Sequence, residues 1–105
     1  MKKVISEINK RELVEGITGR YFHTDATTIG FVDIEKGAIL PAHSHIHEQT
    51  TQVTEGKLEM TIDGVTQILE PGTILLIPSN AMHGARALTN CKVTDIFCPV
   101  REDYK

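Results

Sequence analysis

Short runs that alternate or mix apolar and polar residues recur along this chain at nearly even spacing. Val14 to Phe22, Thr28 to Ile34, Thr50 to Thr54, Leu58 to Ile62, Val65 to Leu69, Thr73 to Ile77, Ala85 to Leu88 and Lys92 to Phe97 are rich in Val, Ile, Thr and Leu. These types fit a pleated, half-buried surface and predict strands. Turn residues stand between nearly all of them. Gly16, Gly19 and His23-Thr24-Asp25 punctuate the first two runs, and Glu55-Gly56, Asp63-Gly64, Glu70-Pro71-Gly72 and Pro78-Ser79-Asn80 the later ones. Asp63-Gly64, placed between Ile62 and Val65, is a two-residue hairpin signal, because the favoured turn needs residues that tolerate positive φ. A period of 3.6 is nowhere sustained; the one weak helical turn falls near Ile5 to Leu13. Evenly spaced short strands with Gly and Pro turns predict an all-β sandwich or barrel, of which the jelly roll is one form. No repeat, linker or low-complexity tract interrupts the pattern.

Length and charge narrow the partners. At 105 residues the chain is read as one domain with room for a single core. The formal net charge is -3, with no basic block and few aromatics, which argues against nucleic acid and anionic membrane surfaces and leaves a small molecule as the expected partner. The opening Met1-Lys2-Lys3-Val4-Ile5-Ser6-Glu7 places charges where a secretory signal needs an apolar run, and no segment approaches spanning length, so a soluble cytoplasmic protein is expected. Cys91 and Cys98 lie on one predicted strand, too far apart along it to bridge and without CxxC spacing. They are expected to be reduced and structural.

The chemistry-bearing residues concentrate in two segments, Pro41 to Gln49 and Asn80 to His83, which hold four of the five histidines. His43 and His45 are two apart, so on an extended strand both imidazoles project from one face, and Gln49 and His83 can close the site from later strands. Imidazole suits zinc, copper, iron and nickel, and an amide oxygen is a neutral, harder ligand that tolerates several of them. A bound divalent cation is expected. His47 continues the row, so a His43/His45/His47 set is a rival. Glu48 reads as solvent-facing and His23 as an exposed strand-end histidine.

A second cluster follows in the C-terminal stretch. Val93, Asp95 and Phe97 share one face of the last strand, which places a carboxylate on an otherwise apolar row. Burial would raise its pKa into the range useful to a general acid or base. Arg101, just past Pro99, can reach over a barrel mouth and hold a carboxylate bidentately. A structural Asp95-Arg101 ion pair with Phe97 as core is the alternative.

Gly37, five residues, His43, one, His45, three, Gln49, six, Gly56 is a spacing that resembles the first cupin motif. Gly72, five residues, Pro78, then His83 resembles the second, with Asn80 replacing its usual glycine and Ala87 its usual asparagine. The resemblance implies a single cupin domain over residues 1–105, a double-stranded β-helix or jelly-roll barrel with motifs at about 37–56 and 72–87. It implies that His43, His45, Gln49 and His83 hold one divalent ion per chain: zinc, nickel, iron or manganese. Gln49 stands where most cupins have glutamate. Three histidines and an amide leave the dipositive charge uncompensated, which favours Lewis-acid work on an anionic substrate over redox chemistry.

The string Asp-x-Phe-x-Pro-x-Arg-Glu-Asp-Tyr from Asp95 to Tyr104, with His47-Glu48-Gln49, is similar to the pectin-degradation cupins of the KdgF type. Those small enzymes open the ring of 4,5-unsaturated uronates to give 5-keto-4-deoxyuronate. The resemblance implies an isomerase with Asp95, Phe97 and Arg101 in its active site. The family uses a further polar residue on the strand after the metal glutamine, where Thr51 and Gln52 are both placed. A homodimer is expected, because small cupins bury strand edges by pairing barrels. A non-catalytic sugar-acid binding or sensory cupin, and an oxygenase on a small organic substrate, are the alternatives.

Overall fold

The computed structural model describes residues 1–105. Ten strands follow one another: β1 Arg11–Val14, β2 Ile17–His23, β3 Thr28–Ile34, β4 Ile39–His43, β5 Glu48–Glu55, β6 Leu58–Ile62, β7 Val65–Leu69, β8 Ile74–Ile77, β9 His83–Ala87 and β10 Cys91–Cys98. Single 3₁₀ turns lie at Ile5–Glu7 and Glu102–Tyr104. The strands form a six-stranded sheet in the order β1-β2-β3-β10-β5-β8 and a four-stranded sheet in the order β4-β9-β6-β7. Every pairing is antiparallel. Inward rows from both sheets meet in one core that includes Ile17, Val32, Val53, Leu58, Met60, Ile77, Val93 and Phe97. This is the expected all-β barrel of the jelly-roll kind.

Alternation decides which side chains reach the barrel interior. On β5, Gln49, Thr51 and Val53 are buried while Glu48, Gln52 and Thr54 are exposed, so a polar pair enters the interior one turn of the pleat apart. β10 runs between β3 and β5, and Asp95 lies opposite Gly30 on one side and Thr51 on the other. The Asp63-Gly64 hairpin forms as expected, with φ of 47° and 82°. Its tip also holds the entry to β9: the Asp63 amide donates to the Met82 carbonyl at 2.8 Å, and the Met82 amide donates to Asp63 Oδ1 at 3.1 Å.

Three local expectations are corrected. The run from Val14 to Phe22 is two strands, because Gly16 turns the chain at a φ of 81°. Gly19 is no break. It lies inside β2, where an added Cβ would come within 2.5 Å of the Tyr21 side chain, and Gly30 on β3 is equally close-packed by the same ring at 2.6 Å. The two glycines form a bed for Tyr21, whose ring then reaches Tyr104 at a centroid distance of 4.6 Å. The helical turn near Ile5 to Leu13 shrinks to Ile5–Glu7, and Arg11–Val14 pairs with β2 instead.

Candidate metal centre

β4 delivers the first histidine and β9 the last, and the two are register partners, His43 opposite His83. β4 is an edge strand, which explains how Pro41 is accommodated and why its burial shows no clean alternation. The β4–β9 register slips between Leu40 and His43. Gly84 makes that irregularity possible: a Cβ there would lie 2.9 Å from the Leu40 carbonyl oxygen and 3.1 Å from the Ala42 nitrogen. The close approach brings the His43 and His83 rings to 4.3 Å between centroids.

β4 stops at His43, so the straight strand assumed for His43 and His45 is not formed. His45 instead comes from a bend whose backbone is tied to the 78–82 loop. The Asn80 amide donates to the His45 carbonyl at 2.8 Å, and Ser79 Oγ donates to the Ile46 carbonyl. Asn80 has a φ of 65°, the left-handed region where asparagine is the commonest substitute for glycine. The bend brings the ligand atoms of His43, His45 and His83 within 4.8 Å of one another. His47 does not join this group. Its Nδ1 is buried without a partner, and its ring meets Phe97 edge-on at 6.4 Å.

Hydrogen bonds fix which atoms face inward. Nδ1 of His43 lies 2.9 Å from the Pro41 carbonyl, Nδ1 of His45 3.0 Å from that of His47, and Nδ1 of His83 2.9 Å from that of Ala81. Each Nδ1–H therefore donates to backbone and leaves an Nε2 lone pair free, the arrangement that orients metal-ligating histidines. Burial disfavours the charged form of two of the rings. His45 is lowered to about 4 by burial, with Arg101 and His83 adding to the effect, and burial also lowers His83.

Gln49 supplies the next group. Its Nε2 donates to Thr51 Oγ1 at 2.9 Å and to Asp95 Oδ1 at 3.2 Å, while Thr51 Oγ1 donates to the same carboxylate oxygen at 2.8 Å. Both amide hydrogens are consumed on that side, so Oε1 is turned toward the histidines and lies 3.1 Å from His45 Nε2. A carbonyl oxygen then faces an unprotonated nitrogen, two acceptors with no hydrogen between them. A cation among these lone pairs would resolve the conflict, and the donor set of three imidazoles and an amide oxygen is compatible with a divalent ion.

Beside the candidate ligands, a cavity of about 50 Å³ is lined by Gln49, Thr51, His83 and Asp95 against Leu58 and Met60 among other apolar side chains. Asp95 opens only partly, and burial raises its carboxyl to about 6 against the opposing pull of Thr51, Gln49 and Arg101. The ion pair between Asp95 and Arg101 weighed from the sequence is not formed. Arg101 is buried and forks onto Asp103 instead, Nε to Oδ1 at 3.0 Å and Nη2 to Oδ2 at 2.8 Å. Its guanidinium lies 3.9 Å from the Tyr104 ring centroid and 4.8 Å from that of Phe97. Phe97 in turn meets His45 edge-on at 5.8 Å, forming an apolar wall between the histidine cluster and the arginine.

Several assignments become definite. Thr51, not Gln52, faces the interior. Glu48 is exposed. His23 is not an exposed strand end: it is partly buried between Thr28 Oγ1 at 2.8 Å and the Tyr104 carbonyl at 3.2 Å. Thr28 also accepts the Arg101 amide at 2.8 Å, so this fully buried threonine anchors the tail that carries the arginine. Sequence reasoning missed Thr28, Asp103 and Tyr104 in these roles; Arg101-x-Asp103 spacing was the one available signal, since side chains two apart at a turn can meet. Both cysteines are free, but only Cys91 is buried in the core; Cys98 is exposed, so the structural expectation holds for Cys91 alone.

A family model for the cupin domain matches residues 30–97. The chain is 35% identical over 96 residues to the pectin degradation protein KdgF of Dickeya dadantii (strain 3937), covering 89% of this chain and 87% of that protein. Among solved structures, KdgF from a Halomonas species superimposes with a TM-score of 0.90 at 30% identity, over 97% of this chain and 96% of the other. An RmlC-like cupin from Shewanella frigidimarina NCIMB 400 superimposes with a TM-score of 0.92 at 26% identity, over 98% and 94%. With both motif glycines of the first segment at positive φ, 83° at Gly37 and 88° at Gly56, and the histidines converged, the chain belongs to the cupin family and to its KdgF-like branch.

Proposed function

We propose that the protein is a metal-dependent isomerase that opens 4,5-unsaturated uronates to 5-keto-4-deoxyuronate during pectin or alginate breakdown. The observation that carries this reading is the position of Asp95: a carboxylate raised to about 6, hydrogen-bonded to Gln49 beside the histidine cluster, on a strand whose Phe97 leads to Arg101. His43, His45, Gln49 and His83 would hold the ion. When bound, it supplies Lewis-acid charge to oxygen atoms of an anionic substrate.

The substrate is a cyclic hemiacetal whose ring oxygen is part of an enol ether. Asp95 accepts the proton of the anomeric hydroxyl; the C1 carbonyl forms as the bond from C1 to the ring oxygen breaks, and the ring oxygen leaves with the bonding pair as an enolate at C5. Asp95 returns a proton to C4 as the C5 ketone forms. No atom is gained or lost. A carboxyl group with a pKa near the working pH suits both halves of that transfer. Arg101 uses Nε and Nη2 on Asp103, so Nη1 is left to meet the substrate carboxylate, and the rings of Phe97 and Tyr104 hold the guanidinium plane in place. The protein works as a homodimer in the cytoplasm: β8 is an edge strand that exposes Ile74 and Leu76, and both cysteines are unpaired.

Incubation with lyase-generated unsaturated monouronate, with the product identified by NMR, tests the reading. The expected outcome is loss of the 4,5-double bond and appearance of the 5-keto product. Substrate that binds but persists unchanged would favour a sugar-acid binding module.

A further inference from the structure

The triangle of Gln49, Thr51 and Asp95 has a direction. Gln49 Nε2 donates to Thr51 and to Asp95, and Thr51 donates to Asp95, so every hydrogen bond runs toward the carboxylate oxygen Oδ1. Thr51 is 1% exposed and Gln49 7%, so water does not offer either side chain an alternative partner. A glutamate at position 49 would set a carboxylate oxygen where Gln49 Nε2 now lies, 3.2 Å from Asp95 Oδ1. Two acceptors of like charge would then meet, with the single hydroxyl hydrogen of Thr51 to serve both.

We propose that Asp95, acting with Thr51, dictates that the fourth ligand is an amide and not a carboxylate, and fixes which end of that amide faces the histidines. Asp95 and Thr51 are in this respect positioning residues for Gln49. The negative charge that cupins usually place on the ligand itself is moved one side chain further from the histidines, onto Asp95, where it is available to a substrate while the ligand set stays neutral. This deepens the metal-centre reading given above but does not require the isomerase activity.

The proposal makes the triangle reversible as a unit. If Gln49→Glu is combined with Asp95→Asn, the new amide can donate to Thr51 and to the new carboxylate, and the threonine hydroxyl, both donor and acceptor, can turn to donate to position 49. The test is a double-mutant cycle on the full-length, metal-free protein at pH 8, read by thermal unfolding. Gln49→Glu alone should lower the melting temperature by more than about 5 °C, a shift that corresponds to loss of a buried polar contact in a domain of this size, and adding Asp95→Asn should recover most of it. Additive effects, with Asp95→Asn shifting the Gln49→Glu protein no more than it shifts the wild type, would overturn the proposal.

A second arm reads the orientation of the amide through zinc binding, measured by competition with a chromophoric chelator. Thr51→Val removes the hydroxyl that accepts from Gln49 and should weaken zinc binding about 10- to 100-fold, the usual effect of losing an outer-shell partner. Thr51→Ser should bind as the wild type does. Wild-type zinc affinity in folded Thr51→Val protein would overturn the positioning role. Failure of every form to bind zinc would instead remove the metal-centre reading, and the metal-free cycle would still decide the charge argument.

Discussion

At the scale of single residues, Asp95 is engaged with Gln49 and Thr51 and Arg101 with Asp103, which gives their substitutions different signatures. Asp95→Asn keeps the shape but removes the proton acceptor, so turnover of the unsaturated uronate should fall by a factor of about 100 to 10,000, with metal content unchanged by elemental analysis because the asparagine oxygen still accepts from Gln49 and Thr51. Arg101→Lys keeps the charge and loses the planar fork that Asp103 and the two aromatic rings hold. Its main effect should be a raised KM. The carboxyl of Asp95 also makes a prediction about pH. Its folded pKa of about 6 lies above the ordinary value of 3.8, so between those values the folded state binds more protons than the unfolded state. Stability contributed through Asp95 is therefore present in acid and declines as pH rises from about 4 to about 6. His45, lowered to about 4, acts in the opposite sense over the same window. The difference in melting temperature between metal-free Asp95→Asn and wild type should accordingly grow in favour of the variant over this range; a flat difference would contradict the buried-carboxylate description.

At the scale of elements, the site depends on a close approach between β4 and β9 that Gly84 alone permits. Gly84→Ala forces the Leu40 carbonyl and the Ala42 amide outward and should separate His43 from His83, so metal affinity should drop in protein that still folds; equilibrium metal titration beside circular dichroism checks this. The strands with apolar inward rows, such as Thr28 to Ile34 and Leu58 to Ile62, were legible because their alternation records a buried face. β4 was not legible as a strand with bounds, because an edge strand holding Pro41 buries too little to leave a pattern. The histidine spacing indicated His43, His45 and His83 correctly as neighbours but for an incomplete reason: a bend held by Ser79 and Asn80, not an extended strand, turns His45 inward. The pairing of Arg101 with Asp103, in place of Asp95, depends on where the tail turns after Pro99, and no periodicity encodes that turn.

At the scale of the whole molecule, two sheets enclose a small, mainly apolar cavity whose polar lining is Gln49, Thr51, His83 and Asp95, and the outer surface still shows an edge strand with Ile74 and Leu76 exposed at 69% and 53%. Burying such an edge against a second copy is the expected resolution, and light scattering at micromolar concentration should give the mass of a dimer; the 11.6 kDa mass of one chain would contradict it. A ligand that binds only the folded barrel must also stabilise it, so removal of the ion should lower the melting temperature of the wild type. The most direct test of the account joins metal to chemistry: turnover of unsaturated monouronate by protein stripped with a chelator, then reconstituted with one equivalent per chain of zinc, nickel, iron or manganese in turn. The account predicts that stripping abolishes formation of the 5-keto product and that at least one of these ions restores it. Full turnover by the stripped protein, or none by any fully loaded form, would contradict it.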